Sequence, residues 1–124
     1  MTFIVGFDYT REAIHAQCGG SLQSELPHQN GRVVAACLDA SRNPHAPCVI
    51  LCGTRPDLCQ AGALLAQQPA PIPVFIKNAA QRWVYQGGFE VAESFTAPAD
   101  CAPYLAGSGR DFTTISRVIV LRMI

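Results

Sequence analysis

Three β-rich segments stand almost end to end between Pro73 and Phe95: "PVFIK" at 73–77, "RWVYQG" at 82–87 and "FEVAESF" at 89–95. The first two read as a hairpin around "NAAQ", and Gly87-Gly88 as a tight turn or bulge into the third. A chain that strings strands together this closely must organise itself around a sheet. Further strand patterns occur at 3–8 ("FIVGFD"), 31–38 ("GRVVAACL"), 48–53 ("CVILCG") and 115–123 ("ISRVIVLRM"). "SRNPHAP" at 41–47 is a turn cluster with two prolines.

Two helices interrupt this pattern. Thr10 is a suitable N-cap for a short helix ending at Cys18, with Glu12 in its first turn and Gly19 as its C-terminal stop. A second helix follows Gly53, with Thr54 and Asp57 as a capping pair, Pro56 in the first turn, and Leu58, Ala61, Leu64 and Leu65 as its buried stripe. The stretch 96–111 reads as a loop with about one helical turn. The expected fold is α+β: a small curved, mixed sheet or partly closed barrel flanked by about two helices. At 124 residues, one domain spanning 1–124 is expected, large enough to bury a core without disulfides or metal.

Composition narrows the function classes. No apolar run approaches the roughly 20 residues of a membrane span, and "MTFIVGFDYT" lacks the basic start of a signal peptide. A cytoplasmic protein with no membrane partner is expected. Nine basic residues balance nine acidic ones, which argues against a non-specific polyanion binder. Eight of the nine are Arg, whose planar fork suits phosphates and base edges; a GC-rich genome would give the same bias.

The six cysteines invite a zinc or disulfide reading that their spacing does not support. Cys48 and Cys52 flank "VIL" in a strand pattern, where residues four apart lie roughly 13 Å from each other. Two thiolates on one zinc each need to be about 2.3 Å from it. The sequence has no C-x-x-C and no His pair at ligand spacing, so the cysteines read as small core residues, except Cys18, which ends a helix beside Gly19-Gly20 where a thiol can be exposed. There is also no H-E-x-x-H, G-x-S-x-G or P-loop, and the nine carboxylates are scattered. No catalytic residue, metal or cofactor is expected.

Binding signals are stronger. In "CGGSLQSELP" the paired Gly19 and Gly20 can adopt positive φ and admit close approach to the backbone. Ser21, Gln23 and Ser24 supply hydrogen-bonding groups beside them, and Tyr9 and Arg11 precede them. The bland alternative is a capped helix with a polar surface loop. Lys77, Arg82, Trp83 and Tyr85 mix cations with aromatics; Trp83 and Tyr85 share a strand face that could stack a base or simply join the core. Arg42 and Arg110 each sit on a loop.

The order Tyr9, Arg11, Ile14-His15, Gly19-Gly20, Gln23, followed by "GRVVAACLDASRNPHAPCVILCG", "IPVFIK" and "RWVYQGGFEV", resembles the N-terminal modified-DNA-reading domain of many bacterial HNH restriction endonucleases. The likeness covers about residues 7–123. Such domains resemble SRA and PUA-like folds. The resemblance implies recognition of double-stranded DNA carrying a methylated base or a backbone phosphorothioate, with cleavage by a separate C-terminal HNH nuclease domain or partner. It implies that the 19–24 loop contacts DNA, that Tyr9, Arg11 and His15 stand beside it, that Trp83 and Tyr85 lie near a pocket, and that a small apolar cavity near Pro27 could favour sulfur over the better hydrated oxygen. The competing readings are an RNA-binding PUA-like module, a small enzyme using Cys18 and His15, and a purely structural domain.

Overall fold

The computed structural model describes residues 3–124. Eight strands and three helices follow in the order β1 (Asp8–Tyr9), α1 (Arg11–Cys18), β2 (His28–Gln29), β3 (Arg32–Val33), β4 (Ala36–Leu38), β5 (Val49–Gly53), α2 (Pro56–Ala66), β6 (Ile72–Lys77), β7 (Trp83–Phe95), α3 (Pro98–Leu105) and β8 (Ile115–Met123). Six strands form one sheet in the order β4-β6-β7-β8-β5, with β1 also paired to β7. Only β4 and β6 are parallel. The sheet is mixed and curls into a half-barrel, as expected for the α+β class.

The two segments expected at 82–87 and 89–95 are one 13-residue strand, β7. Its register slips against β6 beside Gly87, which has φ +118°, and against β8 between Val91 and Glu93. Each slip is a bulge, which bends a strand and sharpens its twist. The bent strand serves β1 and β6 at its start and β8 at its end.

Both faces of the sheet are buried, which explains its nearly unbroken apolar strands. Alternate residues of each strand point to opposite faces. Ala36, Leu38, Ile50, Cys52, Ile72, Val74, Ile119 and Leu121 meet Ala61 and Leu65 of α2. On the opposite face, Cys37 and Phe75 meet Ile14 of α1, while Val49, Leu51 and Val118 meet Cys101, Tyr104 and Leu105 of α3. Cys37, Cys52 and Cys101 are buried and all six cysteines are free. Cys48 is exposed, so the reading of the cysteines as core residues does not extend to it.

Several expectations are corrected. Residues 3–7 are not a regular strand: the Phe7 amide donates to Ile4 O (3.0 Å) and Gly6 takes φ +87°, a turn whose Gly6 N–H and Phe7 carbonyl still bond Tyr85 of β7 (2.9 Å each) ahead of the paired Asp8 and Tyr9. Helix α2 starts from Arg55 with no side-chain cap, so Thr54 and Asp57 are not a capping pair. There are three helices where about two were expected. The third, α3, was obscured by Pro98 and Pro103. Pro98 sits in the first turn, where its missing N–H costs nothing. Pro103 lies inside the helix, and burial of Cys101 against the sheet compensates for the lost hydrogen bond.

The half-barrel leaves two open edges, β4 and β5, and polar groups of Asn43 and Glu25 bridge them. Asn43, the one fully buried polar side chain recorded, accepts from Leu51 N on β5 (2.8 Å) and donates to Glu25 Oε1 (3.2 Å). Glu25 O in turn accepts from Cys37 N on β4 (2.8 Å). Asn43→Ala strands the Leu51 N–H in the interior. It is expected to lower stability by about 1–3 kcal/mol, read from urea denaturation; Ser41→Ala, on the same loop but exposed, should change it by less than about 0.5 kcal/mol.

A cationic groove along the seam of the half-barrel

The loop between α1 and β2 is held by its own chain. Gly19 (φ +84°) stops α1, and its backbone presses on Gln29: a Cβ there would lie 2.3 Å from Gln29 Oε1. Gly20 N donates to the same oxygen (3.0 Å), and His15 Nδ1 meets Gly20 O (2.7 Å). A Cβ on Gly20 would lie 2.8 Å from Cβ of buried Pro27. The close approach that two glycines permit is therefore taken up by β2 and Pro27 of this chain. Ser21 Oγ accepts from Gln23 N and Ser24 N, and Ser24 Oγ accepts from Leu26 N. Arg11 Nη2 donates to Ser21 O (2.8 Å) and Ser24 O (2.9 Å), which ties the loop to α1.

The arginines divide into committed and free. Arg110 donates to Arg42 O, Leu51 O and Thr114 O (2.9–3.0 Å), so it braces the seam. Arg82 pairs with Asp8 at 2.9 Å, and this partner holds the Asp8 carboxyl below its usual value. The side chains of Arg42 and Lys77 have no hydrogen-bond or ion-pair partner recorded among the described residues, although Asp39 is nearby; the Asp39 carboxylate accepts from Ser41 N and Oγ instead. Arg11 and Lys77 approach the Trp83 ring to 5.4 and 5.8 Å from its centroid, within cation–π range.

Three clefts share Glu25 and Arg42 and so form one groove over the seam. The first, of 220 Å³, includes Arg11, Gln23, Lys77 and Trp83. The second, of 290 Å³, includes Ser21, Ser24 and Arg55. The third, of 280 Å³, includes Thr54, Arg110 and Thr114. Five cations line the groove against Glu25, Asp39 and Asp57. Each cleft is near or below the roughly 300 Å³ lower bound of small-molecule pockets. The shape is a shallow track, suited to an extended ligand.

The structure thus brings Arg11, Ser21, Gln23, Ser24, Arg42, Lys77, Trp83 and Arg110 into one groove. It places the other sequence-marked residues elsewhere. Tyr9 and Tyr85 pack with Phe3 and Phe75 in an aromatic cluster, and Tyr9 Oη accepts from Ile4 N. His15, Gly19, Gly20 and Pro27 support the loop from behind, and Arg82 belongs to the Asp8 pair. Sequence reasoning missed Glu25, Asp39, Arg55 and Asp57. The signal for Arg55 was its place just before the Pro56 start of α2, but nothing local marks Glu25. The Cys18 thiol is half-buried, and burial raises its pKa, which disfavours the reactive thiolate. Among the described residues no group of three or more His, Cys, Asp or Glu is placed to hold a metal ion, and no helix is long and apolar enough to cross a membrane.

Comparison with known protein families, with curated proteins and with solved structures finds no match to this chain. The fold and the groove therefore carry the functional reading.

Glu25 is half-buried at the centre of the groove. Burial pushes its pKa above the usual 4.5; Arg42, the Asn43 hydrogen bond and Arg110 oppose the shift, and Asp39 reinforces it. A carboxyl with a raised folded-state pKa favours folding below its ordinary pKa and loses that contribution as pH rises through the folded value. Glu25→Gln keeps an acceptor for Asn43 and removes the buried charge. The variant is expected to melt above the parent at pH 7, with the gain vanishing as pH falls below 4.5, in thermal melts at both pH values.

Proposed function

We propose that this chain is a DNA-binding module that recognises modified double-stranded DNA for modification-dependent restriction, the role its sequence resemblance implies. The observation that supports it is the gathering of Arg11, Arg42, Arg55, Lys77 and Arg110, with Trp83, along one groove of a chain whose net charge is zero. A neutral protein with a local cationic track binds a polyanion in one orientation without strong non-specific attraction elsewhere. Ser, Thr and Gln side chains between the cations can donate to phosphate or base edges. Affinity then depends on the mark, a methylated base or a phosphorothioate, and cleavage falls to a separate HNH nuclease domain or partner.

Gel-shift assays at fixed salt test this with matched duplexes: unmodified, 5-methylcytosine, N6-methyladenine and phosphorothioate, beside an RNA duplex. Selective retention of one modified DNA is the expected result. Retention of RNA alone favours the PUA-like RNA module, and no retention removes the proposal. Arg42→Ala with Arg55→Ala should weaken binding on every DNA alike and flatten the salt dependence by about one unit per lost phosphate contact.

A further inference from the structure

The 220 Å³ cleft at one end of the groove gathers three cations, Arg11, Arg42 and Lys77. Arg11 Nε is buried and has no hydrogen-bond partner, one of two such side-chain atoms among the described residues. The rest of the Arg11 side chain is fixed: Nη2 holds Ser21 O and Ser24 O, and the guanidinium lies against Trp83. The guanidinium is therefore preorganised at the wall of the cleft.

The neighbours favour an anion over other occupants. Lys77 and Arg42 line the same cleft with no partner recorded for their charged groups. Its two acids, Asp39 and Glu25, offset part of this charge, Asp39 interacting with Lys77 and Arg42 while bonded to Ser41, and Glu25 with Arg42 while bonded to Asn43; three cations still outnumber them. Trp83 and Cys37 make up neutral wall. Burial pushes the Cys37 thiol up to about 12, so it carries no charge at neutral pH. Low-polarity walls strengthen the attraction between fixed cations and an oxyanion.

We infer that this cleft is an oxyanion site for a single phosphate-type group, held by Arg11, Lys77 and Arg42. Arg11 presents donors in a fixed plane, and Lys77 and Arg42 supply charge. The group is either a phosphodiester of a nucleic-acid strand or a free phosphate. The site does not require the ligand to be modified DNA, so it goes beyond the recognition proposed above.

Trp83 is the single tryptophan of the chain and lines the cleft, so its fluorescence reports occupancy. The full chain is titrated with inorganic phosphate and, separately, with the dinucleotide thymidylyl-thymidine, each against chloride at equal ionic strength. A saturable change with either phosphate ligand and none with chloride is expected. Lys77→Met should weaken it by about tenfold or more, the value of one charge-assisted hydrogen bond. Tighter dinucleotide binding assigns the site to a strand phosphate, and tighter inorganic phosphate to a free one; both support the site. Arg42→Gln is the second variant, and neither replaced side chain braces the fold. No saturable change, or binding that both variants leave intact, overturns the inference. Phosphate binding without duplex retention keeps this site and removes the DNA reading. Duplex retention that Lys77→Met leaves unchanged, without phosphate binding, does the reverse.

Discussion

The buried amide of Asn43 joins what the sheet leaves apart. A half-barrel has two open edges, and unpaired strand edges invite association with other chains. Here β5 gives its Leu51 N–H to Asn43 and its Leu51 carbonyl to Arg110, while β4 gives its Cys37 N–H to Glu25. Asn43 and Glu25 then bond to each other. Side chains of Asn43, Glu25 and Arg110, together with the Glu25 main-chain carbonyl, link the two edges that no strand pairing joins. Because the closure is polar, the seam is also where charged groups gather, and the groove lies over it.

That seam exists because β7 bends. Bulges beside Gly87 and between Val91 and Glu93 let one strand hold β6 and β1 at one end and β8 at the other. A straight 13-residue strand would carry the sheet onward as a flatter surface, with β4 and β5 too far apart for one Asn to span. At the start of β7, Trp83 stands beside Arg11 of α1 and Lys77 of β6. Fold and groove thus share one cause.

The loop that first suggests binding has a double role. Its serines cap its own turns, and its glycines accommodate Gln29 and Pro27. Features that read as ligand-directed in sequence are spent on making the loop rigid. Rigidity still serves a site, because it fixes Arg11 and presents Gln23 and Glu25 to the groove. A loop held this way loses little entropy when something binds against it.

Local periodicity and capping chemistry locate most of the β-rich segments, the first helix with its Thr10 cap and Gly19 stop, and the α+β class, but not the strands themselves: 3–7 is a turn, 31–38 divides into β3 and β4 of different sheets, and β2 carries no strand pattern of its own. The sequence also marked eight of the residues that line the groove. It could not determine that 82–95 is one strand, since a Gly-Gly pair reads equally as turn or bulge, nor that α3 forms across two prolines, since burial of Cys101 is a long-range effect. Which arginines are free follows from the packing of distant segments. Arg82 and Arg42 look alike in sequence, yet one meets Asp8, 74 positions away, and the other meets open groove. Such pairing depends on contacts between distant segments, and local sequence carries no record of them.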